Sequence, residues 1–171
     1  MGEGAMAQSA QLVVHPLEPL FDERSRVLML GSLPSPKSRE RHFYYGNPQN
    51  RFWPVMAEVL QEELPESNEE RAAMLLRHGV ALWDVVARCE IAGASDASIR
   101  NPVPNDLDRI LAVAPIQAIY ATGSTAGTLY RRLIEPQLGR PITVLPSTSP
   151  ANARWRVPAL VEAYAQITQW L

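Results

Sequence analysis

The sequence predicts a three-layer α/β/α domain built on a short, mostly parallel sheet. Short apolar runs typical of buried strands alternate with segments in which apolar residues recur every three or four positions, as they do in helices. Strands separated by helices favour parallel pairing, because parallel strands need long crossover connections. We expect residues 11–171 to form one such domain, preceded by a flexible tail of residues 1–10.

The first half of the chain contains one strand and two helices in this prediction. Residues 25–31 form an uninterrupted apolar run ending at a glycine, which is typical of a central strand buried on both faces. An amphipathic helix is expected at 51–62 with Asn50 marking its start, and another at about 68–78, with an Asn or Ser cap and Gly79 at its end. Residues 80–86 fit either a strand or a short buried segment.

The second half continues the alternation. We expect a Pro- and Asn-rich loop at 101–105, a helix at 106–113 and a strand at 116–121. A helix from Gly123 to about residue 134, a strand at 142–145 and a closing helix at 156–171 complete the order. In such folds ligands bind beyond the carboxyl ends of the strands, so chemistry is expected in the loops after Leu30, Ala121 and Leu145.

Composition excludes several classes of protein. A hydrophobic content of 46% with 20% charged residues is typical of a globular protein in water, and no apolar run is long enough to cross a bilayer. The N-terminus has neither the basic nor the apolar region of a secretion signal. We therefore expect a cytoplasmic protein with no membrane role. We also expect it to act as a monomer.

Cysteine and histidine usage argues against a metal site. The single cysteine, Cys89, has no partner for a CxxC motif, and His15, His42 and His78 show no ligand spacing. We expect no metal and no cofactor. Cys89 lies in an apolar run, which favours buried packing over a role as nucleophile.

Positive charge is concentrated in two stretches, although the formal net charge is −2. Lys37, Arg39, Arg41 and Arg51 fall in the first stretch, and the last part of the chain carries Arg140, Arg154 and Arg156. The pattern fits phosphate binding if the stretches meet in space, and solvated surface if they do not.

Two loops are unusual enough to predict function. Residues 31–53 are too long and too rich in aromatic and amide side chains for a simple connection. Residues 145–155 place small hydroxyl residues and prolines directly after a strand. Both loops fall where an α/β fold binds its ligands.

The two loops resemble the motifs of the uracil-DNA glycosylase superfamily, above all its hypoxanthine-DNA glycosylase branch. GSLPS at 31–35 resembles the water loop, YYGNPQNRFW at 44–53 the base-stacking and helix-entry segment, and LPSTSPA at 145–151 the leucine loop. The similarity extends over essentially the whole chain. It implies metal-free hydrolysis of an N-glycosidic bond in double- or single-stranded DNA that contains a damaged base, with hypoxanthine as the expected base.

One departure bears on the substrate and the catalytic residue. Leu33 stands where the mismatch-specific uracil/thymine branch has a catalytic asparagine, and leucine cannot orient water. The hypoxanthine branch has a catalytic asparagine in the 44–53 segment, which the resemblance places on Asn50 first and on Asn47 second. For Asn50 the alternative is a helix cap, and the two roles are compatible.

The resemblance also implies the residues that hold the base and the DNA. Tyr45 is expected to stack on the extruded base, whereas Phe52 and Trp53 are expected in the core. The base-binding set is Gly31, Ser32, Leu33, Pro34, Tyr45 and Gly46. The DNA-binding set is Ser35, Lys37, Ser147, Thr148, Ser149, Ala151, Asn152 and Arg154.

Three alternatives stay open. The 147–149 hydroxyls fit a helix-capping turn as well as phosphate binding, and the fold could serve uracil or thymine in mismatches. A non-catalytic nucleotide-binding module is the third, but the glycines at 123–127 match neither a GxGxxG nor a Walker pattern.

Overall fold

The structure is a computed structural model that describes residues 11–91 and 98–171. Its seven strands are β1 (Gln11–Val14), β2 (Val27–Gly31), β3 (Val80–Asp84), β4 (Val86–Ile91), β5 (Arg100–Pro104), β6 (Ala118–Thr122) and β7 (Thr143–Leu145). Its helices are α1 (Pro36–Arg41), α2 (Phe52–Val59), α3 (Asn68–Arg77), α4 (Asp108–Leu111), α5 (Ser124–Leu133), α6 (Glu135–Leu138) and α7 (Val157–Tyr164), followed by a 3₁₀ helix (Ala165–Trp170). The flexible tail expected at 1–10 lies outside the described residues.

A four-stranded parallel sheet in the order β3-β2-β6-β7 forms the centre of the fold. Every residue of β2 and β3 is buried. Successive side chains of a strand point to opposite faces, so burial of all of them requires cover on both sides of the sheet. Helices supply that cover, which confirms the predicted α/β class and the central place of the first apolar strand.

A second sheet was not predicted. Strands β1, β4 and β5 pair antiparallel in the order β1-β4-β5, and β5 occupies residues that were expected to form a loop at 101–105. That expectation is wrong because β5 is an edge strand, where a proline that lacks an N–H need not interrupt the ladder. The pairing of β4 with β5 shifts register on both sides of Arg88. Cys89 is buried in β4, which confirms the packing interpretation.

Several boundaries differ from the prediction for local reasons. The long 31–53 loop contains α1, which begins where the Ser38 N–H donates to Ser35 Oγ at 3.1 Å. Helix α3 is capped as expected, by Ser67, whose Oγ accepts the Glu70 N–H at 3.1 Å. The ambiguous segment at 80–86 is β3 and the start of β4. The closing helix is α for two turns and then tightens to 3₁₀. In the described ranges, no helix is long and apolar enough to span a membrane.

Four tyrosines that are wholly or partly buried make the fold sensitive to alkali. Burial raises the pKa of Tyr44, Tyr45 and Tyr164 well above the ordinary value of 10.0, and raises that of Tyr130 to about 12. Their phenols therefore stay neutral in the folded chain at a pH where an unfolded chain ionises. Stability from this source is fully present below pH 10 and is lost as pH rises toward the folded pKa values.

We expect the free energy of unfolding to fall steeply from pH 10 to pH 12, together with the appearance of tyrosinate absorbance. Urea titrations across this range, followed by circular dichroism and by absorbance at the tyrosinate wavelength, measure both quantities. Reversible ionisation of all the tyrosines in the folded protein at their ordinary pKa would contradict the prediction.

Candidate active site

A cavity of about 1060 Å³ opens at the carboxyl edge of the parallel sheet. The last residues of all four strands line it: Gly31 of β2, Asp84 of β3, Thr122 of β6 and Leu145 of β7. The loops that follow β2 and β7 form much of the remaining wall. The cavity therefore lies at the edge where an α/β sheet binds ligands.

The structure brings most of the expected site residues to this cavity. Those that line it are Gly31, Ser32, Leu33, Pro34, Ser35, Tyr45, Asn47, Asn50, Ser147, Ser149, Ala151 and Asn152. Gly46 and Thr148 do not line it, and Lys37 and Arg154 are exposed outside it. Phe52 and Trp53 are buried in the core, as expected. The roles assigned to the lining residues stay predictions.

Tyr45 is held on two sides. Its ring stacks on Phe52 with centroids 3.9 Å apart and planes 15° apart, and its hydroxyl lies 2.8 Å from Thr122 Oγ1. Its backbone takes a φ of 52°, which is unusual for an aromatic residue. The Gly46 N–H donates to Ser38 Oγ at 2.8 Å, and a β-carbon at Gly46 would lie 3.2 Å from Ser38 Cα. The backbone at Gly46 therefore packs closely against α1, next to Tyr45.

Asn50 connects the two unusual loops. Its Oδ1 accepts the Phe52 N–H at 2.9 Å, which supports the start of α2, and the Thr148 hydroxyl at 2.8 Å. The capping interpretation of Asn50 therefore has a structural basis. The amide nitrogen of Asn50 makes no hydrogen bond within 11–91 and 98–171. Asn47 Oδ1 accepts the Gln49 N–H at 2.9 Å, which leaves its oxygen one further bond.

A buried carboxylate that the sequence analysis did not single out lines the same cavity. Asp84 Oδ2 lies 2.7 Å from His15 Nε2, and the His15 and Asp84 side chains are 3% and 6% exposed. The Leu17 N–H donates to His15 Nδ1 at 3.2 Å, so Nδ1 is an acceptor and the ring proton is on Nε2. The histidine therefore donates to Asp84, and a β-carbon at Gly31 would overlap Asp84 Oδ1.

Asp84 was missed because residues 80–86 could not be assigned to a strand. The signal available in the sequence is a single carboxylate inside the apolar run GVALWDVV. A charged residue is almost never buried without a partner, so such an interruption marks a residue at the end of a strand or in a site. Its partner, His15, is 69 residues away and gave no sequence signal.

Arg51 has no sequence signal that distinguishes it from the other basic residues of its stretch. Its guanidinium donates to the backbone of the loop after β7, at the carbonyls of Thr148, Ser149, Asn152 and Trp155. No group of three or more His, Cys, Asp or Glu side chains in the described part of the chain is placed to hold a metal ion.

Comparison with known proteins gives the family. The sequence profile described as "Uracil DNA glycosylase superfamily" matches residues 18–170. A protein of Methanosarcina acetivorans named "Hypoxanthine DNA glycosylase" is 35% identical over 138 residues, which are 80% of this chain and 86% of the relative. A Methanosarcina barkeri protein of the same name is 32% identical over the same shares of the two chains.

A solved structure agrees with the sequence relatives. The solution NMR structure of a Methanosarcina acetivorans protein, named as a candidate uracil DNA glycosylase, superposes with a TM-score of 0.79 at 29% identity. The match covers 94% of this chain and 99% of that one. The chain belongs to the uracil-DNA glycosylase superfamily.

Proposed function

We propose that the chain is a monofunctional DNA glycosylase that hydrolyses the N-glycosidic bond of deaminated bases in DNA, with hypoxanthine as its preferred base. Membership of the superfamily and two relatives named for hypoxanthine support this proposal. The observation that carries it is the buried Asp84 carboxylate, held by His15 at the end of a cavity that also contains Tyr45 and two asparagines. We further propose that the enzyme acts as a monomer in the cytoplasm, without a cofactor.

The Asp84 carboxylate favours binding of a deaminated base because it can accept a hydrogen bond from the base but cannot donate one. Deamination of adenine to hypoxanthine converts ring N1 from a lone-pair acceptor to an N–H donor. An ionised carboxylate only accepts, and His15 occupies Oδ2 as a donor, so Oδ1 of Asp84 is left as a fixed acceptor. It suits hypoxanthine N1–H and repels the N1 lone pair of adenine.

In this proposal, side chains other than Asp84 contact the attacking water and stabilise the departing base. Asn50, or Asn47 in its place, orients the attacking water toward the sugar, because Leu33 has no polar atom to do so. The departing base carries negative charge and needs donors. Ser147 Oγ accepts the Ser149 N–H at 3.1 Å, which leaves the Ser147 hydroxyl proton available for the base.

The lysine content supports a hydrolytic mechanism. Glycosylases that also cleave the DNA strand use an amine nucleophile, which forms a Schiff base with the sugar. Lys37 is the single lysine of the sequence, and it lies on α1, outside the lining of the cavity. We therefore expect water to be the nucleophile and the strand to stay intact.

The second candidate function is excision of uracil or thymine from mismatched DNA. Uracil also presents a ring N–H, so Asp84 alone does not exclude it. Leu33 favours hypoxanthine, since it stands where the uracil/thymine branch is expected to hold its water.

A substrate panel tests the proposed function. Single-turnover excision is measured on matched duplex and single-stranded DNA containing hypoxanthine, uracil, thymine in a mismatch or adenine. We expect hypoxanthine to be released fastest, at the same rate in EDTA, with no protein–DNA adduct after borohydride. Release of uracil or thymine in preference to hypoxanthine would favour the second candidate, and no release of any base would overturn the proposal.

A further inference from the structure

We propose that Arg51 is a positioning residue, which shapes the 147–155 loop from inside for DNA binding without touching DNA itself. The inference rests on the proposed function, because it assigns DNA contact to that loop. Arg51 lies at the start of α2, and the loop is about a hundred residues later in the chain.

The contacts of Arg51 all go to one loop. Nε donates to the Thr148 carbonyl at 3.3 Å, and Nη2 donates to the carbonyls of Ser149 at 2.7 Å and Asn152 at 3.1 Å. Nη1 donates to the Trp155 carbonyl. The backbone N–H of Arg51 also donates to the Thr148 carbonyl, at 3.1 Å. One half-buried side chain thus binds both ends of the loop, from Thr148 to Trp155.

The partners of the Arg51 guanidinium are neutral backbone carbonyls, so its contacts are not ion pairs. In the described ranges no carboxylate lies within ion-pair distance of its guanidinium. The planar fork of arginine can reach several carbonyls at once, whereas the point charge of lysine cannot hold them in the same geometry. The loop therefore depends on the shape of the guanidinium as well as on its charge.

The arrangement also orients the outer surface of the loop. The described peptide bonds are all trans, so a carbonyl that points at Arg51 turns the next N–H away from it. The carbonyls of Asn152 and Trp155 point inward, so the N–H groups of Ala153 and Arg156 point outward. Neither N–H has a partner in the described part of the chain, and both residues are exposed. Outward N–H groups around a half-buried cation suit a DNA phosphate.

Arg154 provides the matched contrast. It belongs to the same loop, but its side chain is exposed, and we expect it to contact phosphate directly. A lost phosphate contact lowers the salt dependence of DNA binding by about one unit of slope. Arg51, which makes no such contact in this proposal, should leave the slope unchanged when it is replaced.

The test compares Arg51→Lys and Arg51→Gln with Arg154→Gln. For both Arg51 variants we expect DNA affinity to fall by about tenfold or more, since several hydrogen bonds of a charged donor are lost, with an unchanged salt slope. Trypsin should also cleave the folded variants after Arg156 at least about tenfold faster than wild type, because the loop opens locally. Arg154→Gln should lower the slope while cleavage after Arg156 stays at the wild-type rate.

General destabilisation is controlled by Ile119→Val, a change in the buried part of β6 away from the loop. Its cleavage after Arg156 should stay near wild type. Wild-type cleavage in both Arg51 variants would overturn the proposal, and so would a slope reduced by one unit, which would make Arg51 a phosphate contact. If wild type released no base, the proposed function would fail, while the cleavage and slope measurements would still decide the role of Arg51.

Discussion

Asn50→Ala is expected to slow single-turnover excision of hypoxanthine by about 10²-fold or more, the scale of one lost preorganised polar group. Asn50 lines the cavity, and its orientation is fixed by the Phe52 N–H and the Thr148 hydroxyl. An amide held in this way needs no reorganisation when the water attacks. Affinity for DNA containing hypoxanthine should change much less than the rate of excision.

The same substitution removes a helix-supporting bond, so stability has to be measured with the rate. Loss of a cap costs about 1 kcal/mol, which leaves chemistry near normal wherever the variant stays folded. Thr148→Val is the matched control, because it breaks the bond to Asn50 Oδ1 and leaves the amide in place. We expect Thr148→Val to be destabilised by a similar amount and to excise hypoxanthine much faster than Asn50→Ala.

Asn50→Asp separates the two halves of the amide. The carboxylate can still accept from Phe52 and Thr148, but it has no amide protons. Oδ1 already accepts two hydrogen bonds, so a slow Asn50→Asp enzyme would place the catalytic contact on the NH₂ group, and a fast one would show that an acceptor oxygen serves equally well in its position. A folded Asn50→Ala enzyme with wild-type excision would remove Asn50 from the mechanism, and Asn47→Ala would then be the variant expected to be slow.

Asp84→Asn is expected to reverse the polarity of the base contact. His15 still donates from Nε2, so the oxygen of the new amide takes the position of Oδ2. Its NH₂ group then replaces Oδ1 beside Gly31, and a donor stands where an acceptor stood. A hydrogen bond to a charged group is worth about 1.5–3 kcal/mol. The preference for hypoxanthine over purine, which has an N1 lone pair and no oxygen at C6, should therefore fall by about tenfold or more.

The measurement is a cycle of two enzymes and two bases. Single-turnover rates of wild type and Asp84→Asn are compared on DNA containing hypoxanthine or purine, with melting temperature as the control for folding. If the Asp84–His15 pair has only a structural role, Asp84→Asn should lower the excision rate by the same factor for both bases. Equal losses would therefore refute the base contact, whereas a loss confined to hypoxanthine supports it.

The local elements were predictable because their signals are local. The apolar run ending at Gly31 gave a central strand, and the three- and four-residue spacing around Trp53 and Met56 gave α2. Where two signals conflicted, the prediction failed. Pro102 and Pro104 argued for a loop, and the edge position of β5, which tolerates proline, depends on a pairing partner that the local sequence does not reveal.

The sequence by itself determined the α/β class, the order of three of the four parallel strands along the chain and the two loops whose motifs resemble the superfamily. Those features depend on hydrophobic periodicity and on short runs of residues, which need no knowledge of distant contacts. The loops after β2 and β7 could be placed at one edge of the sheet because the carboxyl ends of parallel strands lie together.

Only the tertiary structure decided which side chains meet at that edge. His15 reaches Asp84 across 69 residues, and Arg51 reaches the Ser149 carbonyl across 98. Neither pair has a spacing that distinguishes it from other histidines, carboxylates or arginines in the chain. Their meeting depends on how β1 pairs with β4, which sets the His15 N–H against the Ala87 carbonyl, and on how α2 lies against α7. Both follow from packing between segments that are distant in sequence.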